Sequence, residues 1–150
     1  ITLFDVIEHT EDDVAFLKEI SSHAASGAHI LLTAPAFNIL FSSHDSFLNH
    51  QRRYNRKELE QKAHSAGLTT IRSGYFFGSL LFFRALSVAW ERLRPKSTQP
   101  TGVASWQHGK LITSCISSFL TAENTLSLWL HKHGITIPGL SVWAICKKPQ

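Results

Sequence analysis

His29-Ile-Leu-Leu-Thr-Ala-Pro35 is the stretch whose reading decides the fold. It is an apolar run of strand length closed by a proline, which cannot donate to a ladder, so it reads as a buried strand that stops at Pro35. The chain then enters Ser43-His-Asp45 and His50-Gln-Arg-Arg-Tyr54. In an open α/β sheet, ligands bind outside the carboxyl ends of the strands. A loop rich in histidine and arginine at that address is a candidate active-site rim. Its length, up to Tyr54, is the length of a functional or disordered loop rather than of a simple connection.

Upstream, Ile1-Thr-Leu-Phe-Asp-Val-Ile7 is apolar and β-branched, and predicts a first buried strand. Thr10-Glu-Asp-Asp13 is a polar N-cap with acids in the first turn. Val14, Leu17, Ile20 and Ala24 then recur at helical spacing, and Gly27 suits the end of that helix. Downstream, Asn55 with Glu58 forms a capping-box start, and Leu59, Lys62, Ala63 and Ala66 continue a helix closed by Gly67. Leu68 to Gly74 predicts another strand. The order β-α-β-loop-α-β calls for a parallel α/β sheet with right-handed crossovers.

The rhythm then changes. Phe76 to Leu93 is apolar on nearly every side, broken by Gly78, Ser79, Arg84 and Ser87. Arg94 to Gln107, with Pro95, Pro100 and Gly102, reads as an exposed linker. Leu111, Ile112, Cys115, Ile116, Phe119, Leu126, Trp129 and Leu130 trace an amphipathic helix ended by Gly134. Leu140 to Cys146 is a closing strand, followed by a polar tail. The Phe76–Trp90 run is shorter than the ~20 residues a bilayer demands, and it contains Arg84. The preferred reading is a core helix packed on the Leu111–Leu130 stripe. The alternatives are a dimer surface or apolar substrate lid, and a helix in a membrane interface.

The chain has 150 residues, of which 43% are hydrophobic and 17% charged, so it is globular and long enough for one domain. The formal net charge is +4, but Arg52/Arg53, Arg92/Arg94 and Lys147/Lys148 are scattered. Without a basic run, nucleic acid is not the expected partner. Cys115 and Cys146 lack metal-ligand spacing and read as buried thiols of a reducing, cytoplasmic compartment. No signal peptide opens the chain, which has no methionine and begins in strand-like sequence, as the middle of a longer protein would.

Several of these motifs, taken in order, match a known pattern. Asp5-Val-Ile-Glu-His9, Leu32-Thr-Ala-Pro-Ala36, Ser43-His-Asp45, His50-Gln-Arg-Arg-Tyr54, Glu58-Leu59 and Ala66-Gly67 resemble the C-terminal half of class I S-adenosylmethionine-dependent methyltransferases. The branch it is most similar to ends a strand in "DVLEH" and carries an "H-x-RRY" loop. The resemblance implies the C-terminal half of a Rossmann-like sheet, as a single partial domain over 1–150. The sheet core would be 1–75 and 138–148, with Pro138 to Lys148 supplying the family's final antiparallel strand. Residues 76–134 would be a two-helix insertion before that strand, with the linker at 94–107. The family's glycine-rich cofactor turn lies upstream of a "DVIEH" strand, and no other glycine-rich loop replaces it here. The isolated chain is therefore expected to be inactive and not to bind S-adenosylmethionine tightly. A first strand that normally lies inside the sheet would also present an open edge, expected to pair with a second copy or another segment.

The resemblance also assigns roles. Glu8 and His9 would face the cofactor. His44 and His50 are the candidate general bases, because imidazole titrates near neutrality and can take a proton from a hydroxyl nucleophile. Asp45, Arg52, Arg53 and Tyr54 would face the substrate. One arginine is expected to be structural, bridging to Asp45 or to Asp12/Asp13, leaving the other for a carboxylate or phosphate. Some relatives hold a divalent ion with an acid-x-x-Glu-His motif and a later histidine, which maps onto Asp5, Glu8, His9 and His50. Asp5 and Glu8 would point to opposite faces of a regular strand, so a shared site requires the chain to leave strand geometry between them. The expected activity is O-methyl transfer to a small or lipid-like molecule, in the cytoplasm or at a membrane periphery, with a homodimer through the first-strand edge or the insertion. The alternatives are a non-catalytic interaction module on the same scaffold and a basic RNA- or membrane-surface binder.

Overall fold

The computed structural model describes residues 1–93 and 109–150. Four strands, β1 (Thr2–Phe4), β2 (His29–Pro35), β3 (Thr69–Phe76) and β4 (Ser141–Lys147), form one sheet in the order β1-β2-β4-β3. β1 runs parallel to β2, whereas β4 lies between β2 and β3 and is antiparallel to both. The expected α/β sheet is therefore present, and its last strand is antiparallel. The expected linker at 94–107 lies outside the described residues.

Alternation along the central strands explains the core. Ile30, Leu32 and Ala34 of β2 and Val142, Ala144 and Cys146 of β4 are buried on one face. Against them pack α1 (Asp13–His23) through Leu17 and α3 (Arg56–Ser65) through Leu59 and Ala63. Both helices begin where their caps dictate. Asp12 accepts a hydrogen bond from the Ala15 amide at 2.9 Å, so the true N-cap of α1 is Asp12, with Asp13 inside the first turn. Asn55 and Glu58 complete a reciprocal capping box on α3.

Two expectations change in ways that matter for the site. β1 ends at Phe4 rather than Ile7, because Asp5 adopts φ +50 and turns the chain into a 3-10 turn over Ile7–His9. The long loop after β2 is not structureless either. It holds a 3-10 turn (Asn38–Leu40) and a short helix α2 (Ser43–Phe47), whose capping box joins Ser42 to Asp45.

Between β3 and β4 lie the two expected helices, α4 (Gly78–Leu93) and α5 (Lys110–Lys132), but they do not form the expected packed pair. Val88 is the one buried residue of α4, and α5 has none. Phe82, Phe83, Trp90, Phe119 and Trp129 are exposed. The stripe that sequence periodicity marks as core faces solvent, because amphipathicity states only that a face is apolar and not what covers it. Cys115, on α5, is accordingly exposed rather than buried; Cys146 is buried as expected. α5 is held at its middle instead. Asn124 accepts a hydrogen bond from the Phe77 amide at 3.0 Å, and Glu123 accepts from the Ser79 amide and hydroxyl at 2.5 and 2.7 Å. No described helix is long and apolar enough to cross a membrane.

Candidate functional site

The departure from strand geometry at Asp5 brings Asp5, Glu8 and His9 to one cleft beyond the ends of β1 and β2. The loop after β2 contributes His44, Leu48, His50 and Arg53 to the same cleft, and α4 contributes Arg84. Pro35 and the Leu140–Ser141 step into β4 complete its walls, and the volume of this open cleft is about 480 Å³. Glu8 and His50, 42 positions apart in sequence, thus share one cavity. The Gln51 amide donates to the Glu8 carbonyl at 2.7 Å, tying the two segments together directly.

Asp45 organises the loop from within. It is fully buried, and its carboxylate accepts from the Ser42 amide (3.0 Å), His50 Nδ1 (3.2 Å), Arg53 Nε (2.8 Å) and Arg84 Nη2 (2.7 Å). Burial would raise its pKa, but the Arg53 hydrogen bond and charge, then His50 and the Ser42 amide, hold it below the ordinary carboxylate value. An ionised Asp45 fixes the proton of His50 on Nδ1 and leaves Nε2 with its lone pair. Burial pushes the His50 pKa down and the Asp45 hydrogen bond partly restores it, while the neighbouring His9 and Arg53 lower it further. His44 is half-buried on the cleft, and its ring has no hydrogen-bond partner among the described residues.

Glu8 is the anomaly. It is fully buried, yet neither carboxylate oxygen accepts a hydrogen bond from any described residue. Burial, with Asp5 nearby, lifts its pKa from 4.5 to about 7, although Arg53 and its own backbone amide (too poorly placed to make a hydrogen bond) oppose the shift. The His9 and His50 rings meet edge to face with centroids 4.7 Å apart. One donor atom from each of Glu8, His9 and His50 lies within 4.8 Å of the others, the one such cluster among the described residues. Asp5 lines the cleft, but its carboxylate takes the Thr33 hydroxyl at 3.2 Å and is not in that cluster.

The substrate assignments divide. Arg53 reaches the cleft but is buried and committed to Asp45 and to the Ala36 carbonyl (3.1 Å). Arg52 does not line the cleft; it binds Asp13 at 3.2 Å and the Glu11 carbonyl at 2.7 Å. Both arginines are therefore engaged within the chain, where sequence reasoning left one free. Tyr54 is 2% exposed, and its hydroxyl donates to Asp13 at 2.9 Å with the Ile7 carbonyl at 3.3 Å. It belongs to the core rather than the cleft. Asp45 likewise serves the loop's interior and presents no open face to a ligand. Sequence reasoning missed Arg84, whose only signal was a lone charge inside an apolar helical run.

No protein-family model and no curated protein matches the chain. Among solved structures it is similar to the crystal structure of a SAM dependent methyltransferase from Archaeoglobus fulgidus, at 14% identity and a TM-score of 0.45. The likeness covers 98% of this chain and 57% of that one, so the chain spans little more than half the length of the protein it resembles.

Proposed function

We propose that this chain is the substrate-side half of an S-adenosylmethionine-dependent methyltransferase acting on a hydroxyl acceptor. The observation that supports it is the convergence of Glu8 and His9 with His44 and His50 on one cleft at the strand ends. When bound, S-adenosylmethionine would supply an electrophilic sulfonium methyl. On this reading only Glu8 and His9 would face it, and the described residues include no glycine-rich cradle, so they do not by themselves fit the whole cofactor.

The chain's own chemistry lies on the acceptor side. His44 or His50 accepts the proton of the attacking hydroxyl, which requires a neutral imidazole near pH 7. For His50, burial favours that neutral form, and Asp45 orients the ring. Arg53 and Arg84 lend positive potential without direct release from Asp45. Positioning and water exclusion supply the remainder of the rate. A lipid-like acceptor is favoured over a very polar one, because α4 carries exposed Phe82, Phe83 and Trp90 on the same helix that sends Arg84 into the cleft.

The test is transfer of a tritiated methyl group to hydroxyl acceptors by the chain extended upstream through about 60–80 residues, the length of two βα units. If that extension brings a glycine-rich turn, the protein binds the cofactor, and His44→Ala combined with His50→Ala abolishes transfer. An extension with such a turn that neither binds the cofactor nor transfers methyl refutes the assignment. The reading of a non-catalytic module then takes its place.

A further inference from the structure

We propose that the apolar stripe of α5, formed by Leu111, Ile112, Ile116, Phe119, Leu126 and Trp129, seats in the interfacial layer of a phospholipid bilayer with the helix lying along the surface. Periodicity assigns this stripe to the core, yet its six side chains are 41–83% exposed. Every residue from Leu111 to Phe119 is exposed, so the first half of α5 stands clear of the described fold. The bonds that hold α5 come from its second half, where Glu123 accepts from Ser79, Asn124 accepts from the Phe77 amide and Ser127 donates to the Tyr75 carbonyl. A contiguous apolar face of this kind marks a surface that meets something else.

The charges of α5 choose between a second copy of the chain and a lipid surface. Lys110 stands at one end of the helix and Lys132 at the other. Two copies laid along the stripe would set lysine against lysine in either direction: Lys110 on Lys110 when parallel, Lys110 on Lys132 when antiparallel. Glu123, the one acid of the helix, is already bonded to the Ser79 amide and hydroxyl and cannot relieve that repulsion. The first turn carries no acid, and its N-cap Gly109 offers no side-chain cap, so the amide end of the helix is positive as well. Phosphate headgroups complement both ends at once. α4 divides its surface in the same way. Arg84 and Glu91 face the loop after β2 through Asp45 and the Ser43 amide, while Phe82, Phe83 and Leu86 stay exposed.

The polar side of α5 suits an interface. Between Lys110 and Glu123 no residue is charged, and the polar positions are serines and threonines. The hydroxyls of Thr113, Thr121 and Thr125 donate to the carbonyl four residues earlier, so the helix satisfies them itself. A helix with such a side gains little from charge along its length. Insertion of its apolar side chains drives binding, which makes binding sensitive to curvature and lipid packing. At 23 residues α5 has the length of a span, but it lacks the hydropathy to cross a bilayer and so lies in the surface. The inference does not rest on the methyl-transfer reading; where both hold, a lipid acceptor is met on the surface that carries it.

The experiment is flotation of the full 150-residue chain with phosphatidylcholine vesicles, small sonicated ones compared with large extruded ones. The chain is expected to float with both and more strongly with the small vesicles. Phe119→Asp is expected to weaken binding by about tenfold or more through loss of one buried aromatic side chain. Ser117→Asp, on the opposite side of the helix, leaves it unchanged. Phosphatidylserine in the vesicles is expected to add about fivefold per lysine engaged, an increment that salt removes. Circular dichroism checks that each variant is folded. Should Phe119→Asp unfold, hydrogen exchange of the wild-type chain decides, because vesicles then protect the amides from Leu111 to Phe119. No flotation with any vesicle, or flotation indifferent to Phe119→Asp without protection of those amides, overturns the proposal. So does a dimer in sedimentation equilibrium that Phe119→Asp dissolves while vesicles capture nothing, which gives the stripe to a second copy. With no methyl donor present, neither outcome bears on the transferase reading.

Discussion

His50 Nδ1 lies 3.2 Å from Asp45 Oδ1, and the same oxygen accepts the Arg53 Nε hydrogen bond at 2.8 Å. One buried carboxylate therefore sets the tautomer of a cleft histidine and neutralises the arginine beside it. Arg84 reaches the other oxygen from a helix 39 positions further along. The loop after β2 keeps its shape because donors from four residues, Ser42, His50, Arg53 and Arg84, converge on Asp45.

Replacing Asp45 with Asn leaves Arg53 buried without its counter-charge. Removing one member of a buried pair costs about 3–5 kcal/mol, and this loss is expected in urea unfolding. With the Asp45 contribution gone, burial of His50 is no longer opposed, so its titration midpoint moves further below the ordinary histidine value. An unchanged His50 midpoint in proton NMR would show that the contact does not orient the ring.

Glu8 imposes a pH dependence of the opposite sense to a paired carboxylate. Its pKa rises from 4.5 to about 7 on folding, so the folded state holds a proton that the unfolded chain has already released. Stability from this group is full below the unfolded value and is lost as pH rises through about 7. Asp5 reinforces the shift, while Arg53 and the Glu8 backbone amide oppose it, and His9 and His50 face the same carboxylate. Between pH 5 and pH 8, without added metal, wild-type protein is expected to lose about 2–3 kcal/mol more than Glu8→Gln. Equal slopes in denaturant unfolding would place Glu8 in a solvated setting.

Tyr54→Phe removes a donor from Asp13, which also holds Lys62 at 2.8 Å and Arg52 at 3.2 Å. Hydrogen bonds to a charged acceptor are worth about 1.5–3 kcal/mol, and a loss of that size is expected. The His50 titration should not move, because Tyr54 is not on the cleft. A shifted His50 midpoint with unaltered stability would return Tyr54 to the site.

Gly139 sits under the β3–β4 junction, where an added Cβ would overlap the Phe76 carbonyl oxygen. Phe76 pairs with Ser141, so neither backbone can give way without breaking the register. Gly139→Ala is expected to cost about 1–3 kcal/mol by overpacking. The same change at Gly109, where no atom lies within 4 Å of the new Cβ, meets no such clash. Equal melting temperatures for the two variants would refute the steric account.

Much of the architecture was legible because it rests on local rules. The apolar run at His29–Pro35, the capping box at Asn55 and Glu58 and the glycine at the end of α3 each act within a few residues. The meeting of Glu8 with His50 was legible only through the resemblance of motifs. Nothing local in Asp5-Val-Ile-Glu-His9 announces that Asp5 leaves the strand at φ +50 and swings Glu8 into the cleft.

By itself the sequence determined the long strands and helices, though not the early end of β1 or the short helix α2, and also that the sheet is of α/β type and that a histidine- and arginine-bearing loop follows β2. Only the tertiary structure decided that Arg52 and Arg53 are both consumed by Asp13 and Asp45, that Tyr54 is core, that Arg84 completes the site and that α4 and α5 leave their apolar faces uncovered. The reason is one of range. Periodicity and capping are set by neighbours three or four positions away. The partner of a buried charge, and whatever covers an apolar face, lie tens of positions away, so the folded chain alone brings them into contact.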